Sequence, residues 1–350
     1  MPKPVKQILQ IAFTYIGTVV GAGFASGREI LQFFVQYGSS GLIGILIATF
    51  LFIWAGIQVM LIAHRIRADS YQDISIYLFG RTIGTVFNVA LLTILLGTTS
   101  VMLAATGAIF RENFALSSQI GIWCAMICIF FVTQKGLSGI HSVNSLFVPL
   151  LIGFTILVFW EAQPWSSFQT ATVETVKPMV WLTSPLYYVA LNITLTQAVL
   201  VPIGRESSDE KTLIRGGLLG GLGIGLLLIL AYASMSAHLS AVLHVEMPMI
   251  ALLSGMGKSI SFLFALIVLA EIFSTLIANV YGLIEQLRTY LRLSAAQICL
   301  AILAISYVVS FLGFRSLLAL LYPLFGQFVV FFLLMLFWRQ WTGRTRKASK

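Results

Sequence analysis

Nearly the whole chain consists of stretches without Lys, Arg, Asp or Glu: 7–27, 30–64, 82–110, 113–134, 136–160, 178–204, 216–245, 259–284 with Glu271 as its interruption, 293–314 and 316–338. About 20 apolar residues in a helix cross the roughly 30 Å hydrocarbon core of a bilayer. In that layer the backbone must satisfy its own hydrogen bonds, which a helix does. The second stretch is long because it holds the end of one helix, a turn at 37–41 and a second helix. The sequence therefore predicts an all-α polytopic membrane protein. Its ten transmembrane spans lie near 8–36, 41–65, 83–110, 117–134, 142–161, 183–203, 213–237, 259–286, 294–312 and 316–338. Hydrophobic residues make up 59% of the chain and charged ones 9%, against about 25% charged in average soluble proteins. A soluble enzyme, a nucleic-acid binder and a disordered chain are all excluded.

An even number of spans puts both termini on one side, and the positive-inside rule says which. With the N-terminus inside, only Arg28, Arg111, Lys177, Lys258 and Arg315 fall outside, and the rest of the 21 basic residues fall inside. The net charge of +9 is then topology rather than a nucleic-acid patch. The expectation is a multi-pass protein of the cell membrane with both termini cytoplasmic and 339–350 a basic tail. The first apolar run has basic flanks but is too long for a signal peptide and lacks a small-residue cleavage site, so it counts as span 1. Residues 1–350 form one transmembrane domain whose longest outer connection is 163–182. No catalytic constellation is visible, so no enzyme is expected and function must lie between helices. Cys124, Cys128 and Cys299 read as small packing residues. His64, His141, His238 and His244 fall near span ends or in connections.

Ten spans divide into halves of five, about 8–161 and 183–338, as in transporters built from inverted repeats. Between spans 2 and 3, residues 73–81 read as a short amphipathic helix ended by Gly, and 247–255 between spans 7 and 8 read the same way. The first falls inside and the second outside, as inversion requires. Breaks are expected in spans 1 and 6. Span 1 contains Gly17, Gly21, Gly23 and Gly27 within eleven residues, a poor helix. Span 6 carries Asn192, Thr194, Thr196 and Gln197, then Pro202 and Gly204, side chains with no reason to face lipid.

A break at membrane depth frees backbone groups, tolerated only where they line a cavity or bind something. Free N–H groups at the start of the following half-helix favour an anion, and free carbonyls before it favour a cation. Gly21 and Gly23 let a ligand approach the backbone. The Gly-x-x-x-Gly spacing also suits plain helix packing.

The run Gly-Thr-Val-Val-Gly-Ala-Gly-Phe-Ala-Ser-Gly-Arg-Glu-Ile at 17–30, followed by Gln-Phe-Phe and Gln-Tyr-Gly, closely resembles the start of the YkvI-like bacterial membrane proteins, in the amino acid–polyamine–organocation group with the LeuT fold. The resemblance implies two inverted halves with broken helices 1 and 6. It also implies a cation site between spans 1 and 8. By the Gly-x-x-Val-Gly-x-Gly pattern, its ligands are the carbonyls of Gly17, Val20 and Glu271 and the hydroxyls of Ser274 and Thr275. Oxygen ligands suit a small hard cation. The hydroxyl pair has an ordinary alternative, bonding to carbonyls one turn back.

Three departures stand out. Phe24 replaces an Asn that some such symporters use for a second sodium. Glu271 is ionisable inside a span, costly unless paired or functional. Span 5 has Ser142, Asn144 and Ser145 but no Lys. Span 10 also lacks the acidic partner that an outer-gate Arg would need, so Arg28 is expected to pair with Glu29 or to face the outer vestibule.

The expected function is a secondary transporter of a small solute, an amino acid, by Na⁺ symport with alternating access. Spans 1, 2, 6 and 7 would rock against 3, 4, 8 and 9. The substrate carboxylate would meet Gly21, Ala22 and Gly23, and its ammonium the carbonyls near Val20 and Asn192. Thr194, Thr196 and Gln197 would shape the polar side, with Thr98 and Thr99 of span 3 as further candidates. Arg28, Glu29 and Tyr188, beside Tyr187, would form the gate. The alternatives are proton coupling through Glu271, and a membrane sensor or scaffold that transports nothing. The bilayer and a small molecule are the expected partners, and no nucleic acid is.

Overall fold

The computed structural model describes residues 3–134, 140–165, 180–207 and 209–342. The expectations for Lys135, Lys177 and the tail from 343 fall outside these residues, as do the side chains of His141, Ser142, Asn144 and Ser145 and most of the 163–182 connection.

The described residues form helices and turns without a strand. In chain order the α-helices are α1 (Lys3–Val19), α2 (Ala22–Ser26), α3 (Arg28–Phe33), α4 (Ser39–Ile66), α5 (Tyr71–Phe79), α6 (Arg81–Asn113), α7 (Ser118–Gln134), α8 (Ile140–Ala162), α9 (Val180–Glu206), α10 (Glu210–Ala237), α11 (Leu239–Val242), α12 (Pro248–Ala251), α13 (Lys258–Tyr290), α14 (Ala295–Ser310) and α15 (Phe314–Trp341). Six of them, α4, α6, α9, α10, α13 and α15, are long and apolar enough to cross a membrane. The apolar parts of α7, α8 and α14 are shorter. Large apolar side chains such as Phe50, Phe131, Trp160, Val308 and Phe331 lie exposed on the outer surface, as expected of a body whose solvent is lipid.

Span 1 is broken into α1, α2 and α3. Span 6 is not broken: α9 runs continuously from Val180 to Glu206, which corrects the expectation. Residues 186–201 contain neither Gly nor Pro. The polar side chains that suggested a break are spent on the helix itself: the Asn192 amide donates to the Tyr188 carbonyl (2.9 Å) and the Thr196 hydroxyl to the Asn192 carbonyl (2.6 Å). Helix α15 continues to Trp341, so 339–341 belong to the helix rather than to a tail. Cys299 is buried against Thr133 (3.5 Å), whereas Cys124 and Cys128 are exposed on α7.

Two groups of helices emerge from the packing. One joins α1, α4, α9 and α10, and the other joins α6, α7, α13 and α14. Helix α8 touches both through α10 and α13, and α15 through α9 and α6. Helix α10 enters its group through two glycine rows. Gly216, Gly220 and Gly223 lie against Ile11, Tyr15 and Ile16 of α1; Gly217, Gly221 and Gly225 lie against Ile57, Ile53 and Thr49 of α4. Small residues let membrane helices approach where no hydrophobic force drives them together.

Contacts distinguish the two ends. The N-terminal end is marked by the ion pairs Arg65–Glu210 (2.9 Å) and Arg205–Asp69 and by His64 Nδ1 against the Gly204 carbonyl (3.2 Å). There α5 packs on α15, the Arg339 guanidinium donating to the Leu78 carbonyl (3.2 Å). At the opposite end the Glu112 carboxylate accepts from the N–H groups of Glu246 and Met247 beside α12, and His238 Nε2 meets the Ala162 carbonyl (2.9 Å). The short helices α5, ended by Gly80, and α12, followed by a turn ended by Gly257, thus sit at opposite ends.

Candidate functional site at the break in the first span

Helix α1 stops at Val19, and Gly21 takes an extended conformation (φ −95°, ψ −160°) before α2 begins. The Val20 N–H still reaches the Ile16 carbonyl (2.7 Å). The carbonyls of Gly17, Thr18 and Val19 lose the turn that would have donated to them, and the N–H groups opening α2 lose their acceptors. The Thr275 hydroxyl of α13 faces this gap, 3.9 Å from where a Cβ on Gly21 would stand. It also donates to the Glu271 carbonyl (3.0 Å), the back-bonding expected of a buried helical Thr.

A second bend follows at once. Gly27 has φ +80°, the left-handed region that favours glycine, and a Cβ there would lie 2.6 Å from Met249 of α12. The Ser26 hydroxyl braces the bend, donating to the Gly23 carbonyl (2.7 Å) and accepting from the Arg28 N–H (3.1 Å). The bend turns Glu29 back on the break. Its carboxyl lies over the bare backbone of Gly23, where any Cβ would collide with it. The Tyr322 hydroxyl of α15 donates to that carboxylate.

These elements surround one cavity of about 550 Å³. Gly17, Gly21, Ala22, Gly23 and Glu29 line it from the first span, Asn192 and Thr196 from α9, and Glu271, Ser274 and Thr275 from α13. Val20, Thr99, Thr194, Arg28 and Tyr188 do not line it. Thr99 is fully buried and donates to the Leu95 carbonyl (2.7 Å); its neighbour Thr98 faces the cavity and accepts from the Asn279 amide (3.2 Å). The Thr194 hydroxyl and the Gln197 amide oxygen are buried without a hydrogen-bond partner among the described residues.

Arg28 and Glu29 diverge instead of pairing. The Arg28 guanidinium donates to the carbonyls of Val245 (3.1 Å) and Leu243 (3.3 Å), at the end away from the N-terminus. The Tyr188 ring, fully buried, packs on Phe34 (5.1 Å), Phe33 (5.3 Å) and Phe52 (5.9 Å). The Ser184 hydroxyl donates to the Phe33 carbonyl (2.7 Å). These buried rings pack on one another without lining the cavity. The cavity reaches Ser70, Tyr71 and Gln72 and, on α13, Glu285 and Gln286, beside the N-terminal end of the bundle.

Tyr322 and Asn279 were missed as site residues. Asn279 was within reach of a helical count, since 271, 275, 278, 279, 282 and 286 share the face of α13 that lines the cavity. Tyr322 shows only as a hydroxyl beside Pro323 in an otherwise apolar run, a weak signal. Among the described residues no cluster of three His, Cys, Asp or Glu could hold a metal ion.

No protein-family profile matches the chain. Among solved structures it is similar to a Na⁺-coupled sialic acid symporter in a substrate-bound outward-open state (TM-score 0.64, 13% identity, covering 94% of this chain and 78% of that one). It is also similar to the manganese transporter of Eremococcus coleocola (TM-score 0.59, 17% identity, 93% and 78%). Both have the LeuT fold. Among curated proteins it is 40% identical over 319 residues to the uncharacterized membrane protein YkvI of Bacillus subtilis, covering 91% of each chain. The protein therefore belongs to the YkvI family of membrane proteins, and its fold is that of the LeuT-type transporters.

Proposed function

We propose that the protein is a secondary transporter of a small organic solute of the amino-acid class, driven by Na⁺ and working by alternating access. It spans the plasma membrane ten times as two inverted halves of five, with both termini in the cytoplasm. The observation that carries this reading is the cavity. It joins the broken first span to polar residues of α6, α9 and α13 and reaches the bundle surface beside Ser70, Gln72 and Glu285. Structures of the same fold belong to a Na⁺-coupled symporter and a manganese transporter, which supports carriage of a solute with a cation.

In this reading Na⁺ rests on the carbonyls of Gly17, Val20 and Glu271 and the hydroxyls of Ser274 and Thr275. Its neighbours all lie in the first span and α13, which belong to different helix groups. An ion bound across that seam favours the state in which the two groups approach, and a ligand shifts an equilibrium only by such a difference in affinity. The solute lies beside it, against Gly21–Gly23, Asn192 and Thr196. Purified protein in liposomes with an inward Na⁺ gradient provides the test. Accumulation of a radiolabelled amino acid, lost when the gradient is removed and in Ser274→Ala plus Thr275→Ala, supports it. Equal uptake with and without Na⁺ and in the double variant removes the sodium part.

A second reading rests on Glu271, which is 3% exposed and has one carboxyl oxygen without a hydrogen-bond partner. There the coupling ion is a proton carried on this carboxyl, which shares the cavity with Glu29, Tyr322, Tyr71 and Glu285. Glu271→Gln then abolishes accumulation driven by a pH gradient while exchange of internal for external solute persists. A protein that binds solute but moves none is a sensor and not a carrier.

A further inference from the structure

The charges around the cavity are of one sign. Glu29, Glu271 and Glu285 line it, and among the described residues no Lys, Arg or His does. Glu285 is at the mouth, half-exposed and paired with Arg288 (3.7 Å). Glu29 and Glu271 are 5% and 3% exposed, and none of the ion pairs among the described residues includes either of them. The adjacent Arg28 does not compensate Glu29, because its guanidinium is held by the carbonyls of Leu243 and Val245 on the far side. Glu271 keeps one oxygen without a partner, and both carboxyls face the same space.

Two carboxylates removed from water need two positive charges or protons nearby. A single coupling cation at α13 offsets one of them. The other stands over Gly23, where the break would otherwise offer bare N–H groups to a substrate carboxylate. An anionic group placed there meets the Glu29 carboxylate instead of an open backbone, and like charges at that range repel. An ammonium placed there meets a carboxylate already oriented by the Tyr322 hydroxyl. A solute with net charge +1, together with one coupling cation, leaves the filled cavity neutral; a zwitterion leaves it at −1.

We infer that the solute is a small organic cation, bound by its amine to Glu29, with Tyr322 as the residue that positions the carboxylate. The inference rests on the carrier reading above and names its substrate class. Glu29, rather than the N–H groups of Gly21–Gly23, sets specificity, and it selects for net charge.

The test uses the full-length protein, purified and reconstituted, with radiolabelled lysine, ethanolamine, leucine and glutamate, and with Mn²⁺, at fixed Na⁺. Saturable uptake of lysine or ethanolamine at least about tenfold more efficient than of leucine or glutamate supports the inference. So does a tenfold or greater loss of that preference in Glu29→Gln, the loss expected when one partner of a buried charge pair is removed. Tyr322→Phe, which keeps the ring, raises the KM for lysine more than it changes kcat. If Glu29→Gln does not fold, the Tyr322→Phe split and the wild-type preference decide. Preferred uptake of leucine or glutamate overturns the inference and leaves the carrier intact. Uptake of Mn²⁺ alone overturns the organic cation. A rise in melting temperature with lysine or ethanolamine but without flux supports the site and overturns the carrier. No binding and no flux with any probe overturns both.

Discussion

Gly23 carries no side chain because the Glu29 carboxyl already occupies the space a Cβ would take. Gly23→Ala must push that carboxyl away from the break and from Tyr322, without touching any surface that holds the bundle together. Uptake is expected to fall at least about tenfold, while the melting temperature of the detergent-solubilised protein falls far less than for a core substitution, where overpacking costs ~1–3 kcal/mol. Retained uptake with an unchanged KM would show that the Glu29–Gly23 contact is incidental. At the proposed cation site, Ser274→Ala or Thr275→Ala alone is expected to weaken Na⁺ activation roughly 10–100-fold, a loss seen even for residues in a metal's outer shell. A titration of uptake rate against Na⁺ concentration checks it. Unequal legibility at this scale has a simple cause. The glycines at 17–27 and the Ser274–Thr275 pair stand out as residue types that suit a helix poorly or sit oddly in lipid. Glu29 looked like a partner for Arg28 because its position depends on one dihedral, the positive φ of Gly27, and on Tyr322, far along the chain.

Among the elements, the broken first span and the continuous α9 show where local reasoning reaches its end. Both spans carry residues out of place in lipid, but only glycines remove the steric cost of leaving the helix. Asn and Thr do the reverse in α9 by bonding to carbonyls one turn back. Pro185 and Pro202 fall within α9 without ending it. Helix α10 carries the feature least legible beforehand, because a glycine row means nothing until the facing helices are known. A Cβ at Gly221 would lie 2.5 Å from the Ile53 side chain and 2.9 Å from its backbone. A side chain can turn aside but a backbone can do so only by moving α4. Gly221→Val is therefore expected to destabilise the protein by about 2 kcal/mol, in the range for overpacked cores. Gly153, with nothing within 4 Å of its Cβ position, should accept Val with little loss. Thermal unfolding of the two variants in the same detergent provides the comparison, and equal melting temperatures would contradict this account of the α10 packing.

For the whole molecule, the apolar runs made the helices legible because length and the absence of charge suffice to place a span, whereas the cavity depends on which faces meet. The expected partition of spans 1, 2, 6 and 7 from 3, 4, 8 and 9 matches the packing of α1, α4, α9 and α10 apart from α6, α7, α13 and α14. The proposed site straddles that seam. If the two groups rock about it, a cavity residue changes sides during the cycle. Ala278 of α13 is exposed and lines the cavity between Thr275 and Gly282. The experiment is Ala278→Cys in a background where Cys124, Cys128 and Cys299 are replaced by Ser. The cavity reaches the N-terminal end, so without Na⁺ a membrane-impermeant thiol reagent should label the new cysteine only from the side bearing the termini. Na⁺ should slow that labelling and allow labelling from the opposite side, because the ion favours the state in which the first span and α13 are tied. Labelling from the opposite face without Na⁺ would contradict an opening on the side of the termini alone. A rate indifferent to Na⁺ would separate the ion from the conformational change and leave proton coupling through Glu271 as the reading to pursue.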